Sequence, residues 1–197
     1  MATRAAELYD EDFYAWTQEQ ARALRTHFKG DNRLDVEHLA EEVEDLGKSE
    51  LHGVESLVEQ IIAHLLKLDY SGQSDPRSPW RAEILNFRQN VARKITPSMR
   101  RTVERRLDEL YHGARQIAAA GTLVHEPDLI RRLPKSCPYD WHTIWHRDVL
   151  AEGGLDLGES AKSDDRRKRG PGSGHPKRAR SRSQQRQMKI LEPKRDT

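Results

Sequence analysis

Cysteine is nearly absent. Cys137 is the single one among 197 residues, which excludes an internal disulfide framework and any multi-cysteine zinc site and fits a reducing cytoplasm. Long apolar runs are missing too. No stretch of about 18 apolar residues occurs, and the opening MATRAAELYDED has no apolar segment behind a basic start, so neither a membrane span nor a secretory signal is expected. Apolar residues make up 35% of the chain and charged residues 34%, against about 45–50% and about 25% in ordinary soluble domains. Such a chain forms either a thin helical fold or a partly disordered one. Alternating β-branched runs joined by a turn dipeptide are also lacking, which argues against strands. The length points to one domain rather than two.

What is present is charge, unevenly placed. From Ser160 onward the chain carries 13 Lys and Arg against 4 Asp and Glu, a net of +9, whereas the residues before it carry 21 against 28, a net of −7. An acidic body, residues 1–158, is therefore expected to precede a basic tail, residues 159–197. The tail is rich in Gly, Pro, Ser and Arg and poor in apolar residues, so burial there cannot offset ordering entropy, and disorder is expected.

The body reads as all-α, a helical bundle of four to five main helices with a short helical C-terminal extension. A first helix is expected over residues 10–27, starting at Asp10 or Asp12, with Gly30 beyond its end and Phe13, Trp16, Gln20, Leu24 and Phe28 on its inner face. Val36, Leu39, Val43, Leu46, Val54, Leu57, Ile61, Leu65 and Leu68 then keep helical spacing. Gly47-Lys48-Ser49 offers a C′ glycine followed by a new N-cap, so a kink or break is expected there, giving helices over residues 35–46 and 49–69. Ser78-Pro79 starts a third helix with Trp80, Ile84, Phe87 or Arg88, Val91 and Ile95 on its buried side. Thr96-Pro97-Ser98 starts a fourth, with Val103, Leu107, Leu110, Ala114 and Ile117 inward until Gly121. Two short helical turns bracketed by prolines follow, with enough Trp and Leu to pack back on the bundle.

Six ordered blocks, LYDEDFYAWTQEQARALR, LDVEHLAEEVEDLGKSE, IAHLLKLDY, WRAEILNFRQNV, TPSMRR and LPKSCPY, resemble the bacterial family called domain of unknown function 29 over roughly residues 8–150. The resemblance implies a helical-bundle fold and brings no established activity with it. The family's most recognisable polar positions fall here on Asp12, Glu41, Glu42, Asp45, Lys48, Ser49, His64, Lys67, Arg88, Ser98 and Arg100. After CPY the chain departs from the family's acidic, leucine-bearing segment, carrying DWHTIWHRDVL and then the basic tail.

From these positions Glu42, Asp45, His64, Lys67 and Arg88 form a candidate polar cluster, which a hairpin about Gly47 would bring together. With Leu39, Val43 and Leu46 inward, Glu37, Glu41, Glu44 and Lys48 face solvent, Glu42 and Asp45 lie to one side, and His64 shares the phase of Leu46. Capping or an interhelical hydrogen bond is the expected role. His142 and His146, spaced i and i+4 near Cys137, have permitted geometry for metal but neither an HExxH glutamate nor a second cysteine, so no metal and no cofactor is assigned. Arg106, or Arg105, with His112 resembles the Arg–His motif of the HEPN ribonucleases, although five such pairs occur where about three are expected by chance.

Arg166, Arg167, Lys168, Arg169, Lys177, Arg178, Arg180 and Arg182 are candidates for nucleic-acid binding through counterion release, without aromatics for base stacking. Taken together, the sequence favours a cytoplasmic interaction or regulatory module with a protein partner and no catalysis. The alternatives are sequence-nonspecific nucleic-acid binding through the tail and an HEPN-like ribonuclease using Arg106 and His112.

Overall fold

The computed structural model describes residues 4–28, 33–74 and 76–151. Eight helices and no strand are formed by these described residues: α1 Arg4–Glu11, α2 Phe13–His27, α3 Val36–Tyr70, α4 Arg77–Lys94, α5 Pro97–Arg105, α6 Leu107–Ala120, α7 Leu129–Arg132 and α8 Trp141–His146. The expected tail, residues 159–197, lies outside the described residues. No helix among them is long and apolar enough to cross a membrane.

α3 organises the molecule. It runs unbroken for 35 residues, about 50 Å at 1.5 Å per residue, so the expected break at Gly47 does not occur. Gly47 serves a different purpose. It is buried against α2, where an added Cβ would lie 2.0 Å from the Thr17 Oγ1 and 3.3 Å from a Tyr14 ring carbon, so the missing side chain lets two helices approach closely. The contact side of α2 accordingly runs through Thr17 and Ala21, both buried, and not through the larger residues expected there. Phe28 is exposed, while Phe13 and Trp16 stack on each other and receive Tyr9 of α1 edge-on.

Beyond Leu51, α3 becomes the central helix of an apolar core. Every residue from Ile61 to Leu68 is buried. α4 covers one side with Trp80, Ile84 and Val91, as the spacing predicts, and α6 covers another with Leu110, Tyr111, Ala114 and Ala118. Full burial of each Ile, Leu or Val contributes about 1.5–3 kcal/mol. α4 begins at Arg77 with Pro76 as its N-cap, two residues before the start expected from Ser78-Pro79, and the Arg77 guanidinium donates to the Leu68 carbonyl at 2.6 Å, near the C-terminal end of α3.

The expected fourth helix starts as predicted, with the Thr96 hydroxyl capping the Met99 N–H and Pro97 in the first turn. It then divides at Arg106 into α5 and α6. α5 meets the start of α2, where the Ser98 N–H and hydroxyl donate to the Asp12 carboxylate at 2.8 and 2.5 Å, while α6 lies along α3. At the division the Arg106 N–H is shared between the Thr102 and Val103 carbonyls, each at 3.1 Å, a 3₁₀-type tightening of the helix. The C-terminal extension packs back as expected: Leu129, Leu133, Tyr139, Trp141, Ile144, Trp145 and Val149 are buried in the same core. Its polar fastening is Asp69, which accepts two hydrogen bonds from Arg147 at 2.6 and 2.7 Å and one from the Tyr139 hydroxyl at 2.7 Å.

Candidate interaction surface

The unbroken α3 separates the two ends of the candidate polar cluster. Asp45 and His64 are nineteen residues apart on one helix, about 28 Å. Glu42 and Asp45 are exposed, with Asp45 accepting from Lys48 at 3.0 Å. His64 is buried, with Nδ1 2.8 Å from the Gln60 carbonyl, Nε2 3.7 Å from Glu83 and its ring beside Phe87. Burial lowers its pKa, so the imidazole favours its neutral form. Lys67 lies one turn on, also buried, with its ammonium 6.0 Å from the centre of the Trp80 ring. Desolvation lowers its pKa as well. Gly121 leaves room for this ammonium, since an added Cβ there would stand 2.7 Å from Nζ.

His64 and Lys67 are thus brought together, with Glu83 added from α4. Arg88 is engaged elsewhere. Its guanidinium donates to the Ile144 and Arg147 carbonyls at 2.8 and 2.9 Å, and burial holds its pKa down to about 10.

The remaining family-matched polar residues make local or interhelical ties. Asp12 both caps α2, accepting from the Ala15 N–H at 3.1 Å, and receives Ser98. Arg100 donates to Glu104 at 3.1 Å and lies over the Trp141 ring; Glu41 and Ser49 are exposed. Glu44, expected in solvent, is half-buried and pairs with Arg25 at 2.8 Å. Arg106 Nη1 donates to buried Glu55 at 2.6 Å and its Nε to Glu109 at 2.9 Å, whereas His112 is exposed. The His142 and His146 ring centres lie 4.9 Å apart with the planes tilted by 43°, and the Cys137 thiol, its pKa raised by burial, donates to the Tyr139 carbonyl. No group of three or more His, Cys, Asp and Glu suited to a metal occurs among the described residues. Arg166, Arg167, Lys168, Arg169, Lys177, Arg178, Arg180 and Arg182 lie outside the described residues.

Glu126 escaped the sequence reading because its partners are remote. It accepts from the Ser71 hydroxyl, the Gly72 N–H and Arg132, which hold its pKa down to about 2 and tie the exit of α3 to the loop before α7.

Surface chemistry points to the other end of α3. Leu39, Leu46, Glu50, Leu57, His64 and Leu68 are spaced by seven, four, seven, seven and four, and so form one row along the helix. α4 covers the C-terminal part of that row: Glu83 and Phe87 meet His64, and Lys94, the last residue of α4, reaches Glu50 at 3.7 Å. Past Lys94 the row continues uncovered. Leu46 is 56% exposed and Leu39 45%. This corrects the expectation that both face inward; the inward residues are Ala40 and Gly47. Acidic Asp35, Glu42 and Glu50 lie on the same side, all exposed. The clue in the sequence was a second register, Ala40, Gly47, Leu51, Val54 and Val58, parallel to the leucine row but beginning with small residues.

The model of the family described as Domain of unknown function DUF29 matches residues 8–150. A crystal structure of an α-helical protein of unknown function from Rhodospirillum rubrum is similar to this chain at 27% sequence identity and a TM-score of 0.57, covering 73% of this chain and 92% of that one. No curated protein matches the sequence.

Proposed function

The chain belongs to the DUF29 family, and from that premise we propose that it works by binding, as a cytoplasmic interaction or regulatory module rather than an enzyme. The observation that carries this reading is the bare leucine row on α3. Two large apolar side chains about 10 Å apart along one helix face, flanked by acidic residues, suit a basic amphipathic protein segment laid alongside, its apolar residues on Leu39 and Leu46 and its cations on Asp35, Glu42 and Glu50. The fixed employment of Asp12, Asp69, Arg88 and Glu126 in fastening the fold supports a scaffold role for these polar residues.

The test is a comparison of the full chain with its Leu39→Asp/Leu46→Asp variant, both purified from the native host. Loss of a defined protein partner from the variant, with an unchanged circular dichroism spectrum and melting temperature, is the expected result. Retention of the same partner by both forms sinks the reading.

A second reading rests on the +9 charge from Ser160 onward: Arg166, Arg167, Lys168, Arg169, Lys177, Arg178, Arg180 and Arg182 bind nucleic acid by counterion release. It predicts affinity for RNA or DNA that falls steeply with salt and is lost when these residues become Gln, whatever stands at Leu39 and Leu46.

A further inference from the structure

We propose that the exposed leucine row of α3 is occupied in the resting protein by the chain's own residues 186–194, RQMKILEPK, so that an outside partner must displace them. This rests on the reading of that row as a binding surface and adds how it is regulated. The row asks for an occupant that is apolar and basic. Leu39 and Leu46 present the apolar part; of the carboxylates on the same side, Glu42 is exposed, while Asp35 holds His38 at 2.6 Å and Glu50 meets Lys94 at 3.7 Å in exposed pairs that an incoming cation can exchange, Lys48 pointing elsewhere to Glu44 and Asp45. A second copy of the surface would set these carboxylates against their own kind, so charge disfavours a symmetric pairing.

In the otherwise polar stretch after Ser160, Met188, Ile190 and Leu191 stand together, interleaved with Arg186 and Lys189 and followed by Lys194 and Arg195. That is the complementary pattern.

The distances agree. Described structure ends at Ala151, close after Arg147, which is fixed to Asp69. Leu46 lies twenty-three residues before Asp69 on one straight helix, about 35 Å away. Thirty-four residues lie between Ala151 and Arg186, and a random coil of that length has a root-mean-square span of about 32 Å. A tether whose span matches the gap gives its maximal effective concentration, on the order of 1 mM. A segment with a Kd of about 0.1 mM as a free peptide would then occupy the row about nine-tenths of the time.

The experiment uses the full chain with leucine methyls labelled for NMR, as wild type and as Ile190→Asp/Leu191→Asp, together with a synthetic peptide spanning residues 184–195. The methyls of Leu65 and Leu66, fully buried in the core, serve as the internal check that folding is preserved. Expected are displaced Leu39 and Leu46 resonances in the variant, unchanged Leu65 and Leu66, no dependence on a tenfold dilution, and binding of the peptide about tenfold tighter to the variant than to wild type. Raising salt from 0.05 to 0.5 M should move the wild-type resonances toward those of the variant.

Identical Leu39 and Leu46 resonances in wild type and variant overturn the proposal. If the peptide, or an unrelated amphipathic basic peptide, still titrates those methyls equally in both, the surface binds but is not self-occupied. If neither peptide moves them, the binding reading falls too. Displacements that vanish on dilution assign the row to a second copy and overturn occupation in cis.

Discussion

The two halves of α3 are built by opposite means. From Leu51 onward the helix is wrapped on several sides by large apolar side chains, and Val58, Ile61, Ile62, Leu65 and Leu66 are completely buried. Before Gly47 it has α2 alone as its main neighbour, joined through Thr17, Ala21, Ala40 and Gly47 and through Arg25, which bridges Glu37 and Glu44. One half is held by volume, the other by the lack of it. Where small residues make the contact, the neighbouring leucines are released from structural work and stand outside. Apolar character by itself therefore does not say which side of a helix faces in; the size available at the closest approach does.

The contrast can be broken most severely in the body. Ile61→Ala removes a fully buried side chain and should cost about 3 kcal/mol, within the usual 2–5 for such a truncation, measured by urea denaturation of the full chain. Next comes the weak point of the arm, the part of α3 from Val36 to Gly47. Gly47→Ala forces a methyl to within 2.0 Å of Thr17 Oγ1 and should destabilise by about 1–2 kcal/mol, overpacking outweighing the gain in helix propensity. Adding Thr17→Ala should restore part of that loss, which a propensity effect would not do.

Gly53→Ala sharpens the point from the other side, because nothing lies within 4 Å of its added Cβ. It should stabilise by about 0.5–1 kcal/mol. If Gly47→Ala and Gly53→Ala shift the midpoint alike, close approach is not what Gly47 provides. Smaller still, Leu39→Ala and Leu46→Ala should each leave stability within about 0.5 kcal/mol, as surface substitutions do, while weakening whatever binds the row.

The finest probe is a pair of histidines on the same helix. In the arm, the hydrogen bond to Asp35 raises the His38 pKa, so its contribution is present below the ordinary value of about 6.5 and is lost as pH rises through the raised one. In the body, burial lowers the His64 pKa, so the unfolded chain takes up the proton first and stability falls as pH drops below about 6.5. NMR titration of the two imidazoles should place them on opposite sides of the ordinary value. Shifts of the same sign in both would remove the contrast.

The sequence carried the body well. Trp80, Ile84 and Val91 on α4 and Leu110 and Ala114 on α6 were legible because large apolar residues at helical spacing bury against each other whatever their partners. The family assignment was legible for a related reason, since ordered blocks survive without knowledge of contacts. The arm misled. Gly47 has the same letters around it whether it ends a helix or admits a neighbour, and only the position of Thr17 decides. Arg106 likewise gave no local sign of a break; its N–H is shared between the Thr102 and Val103 carbonyls, a local tightening that the residue type does not announce. For the polar residues, Asp12 with Ser98 and Asp69 with Arg147 are separated by 86 and 78 positions, and no spacing rule reaches that far. The misjudged outer surface has another root: the spacing puts Leu46 in phase with His64, but spacing alone does not say that α4 ends at Lys94 and leaves Leu39 and Leu46 uncovered.

Because α3 is continuous, it also acts as an angular index between its two ends. Each residue advances the helix by about 100° of rotation and 1.5 Å of travel, so the azimuth at which a segment on Leu39 and Leu46 meets the body is set by the number of residues between Gly47 and Leu51. One residue more in that interval would swing the arm, with anything seated on it, through roughly a quarter turn, pulling Asp12 from Ser98 and Glu50 from Lys94. The bearing of the exposed leucine row is thus an integer property of the chain, counted in residues rather than adjusted by contacts.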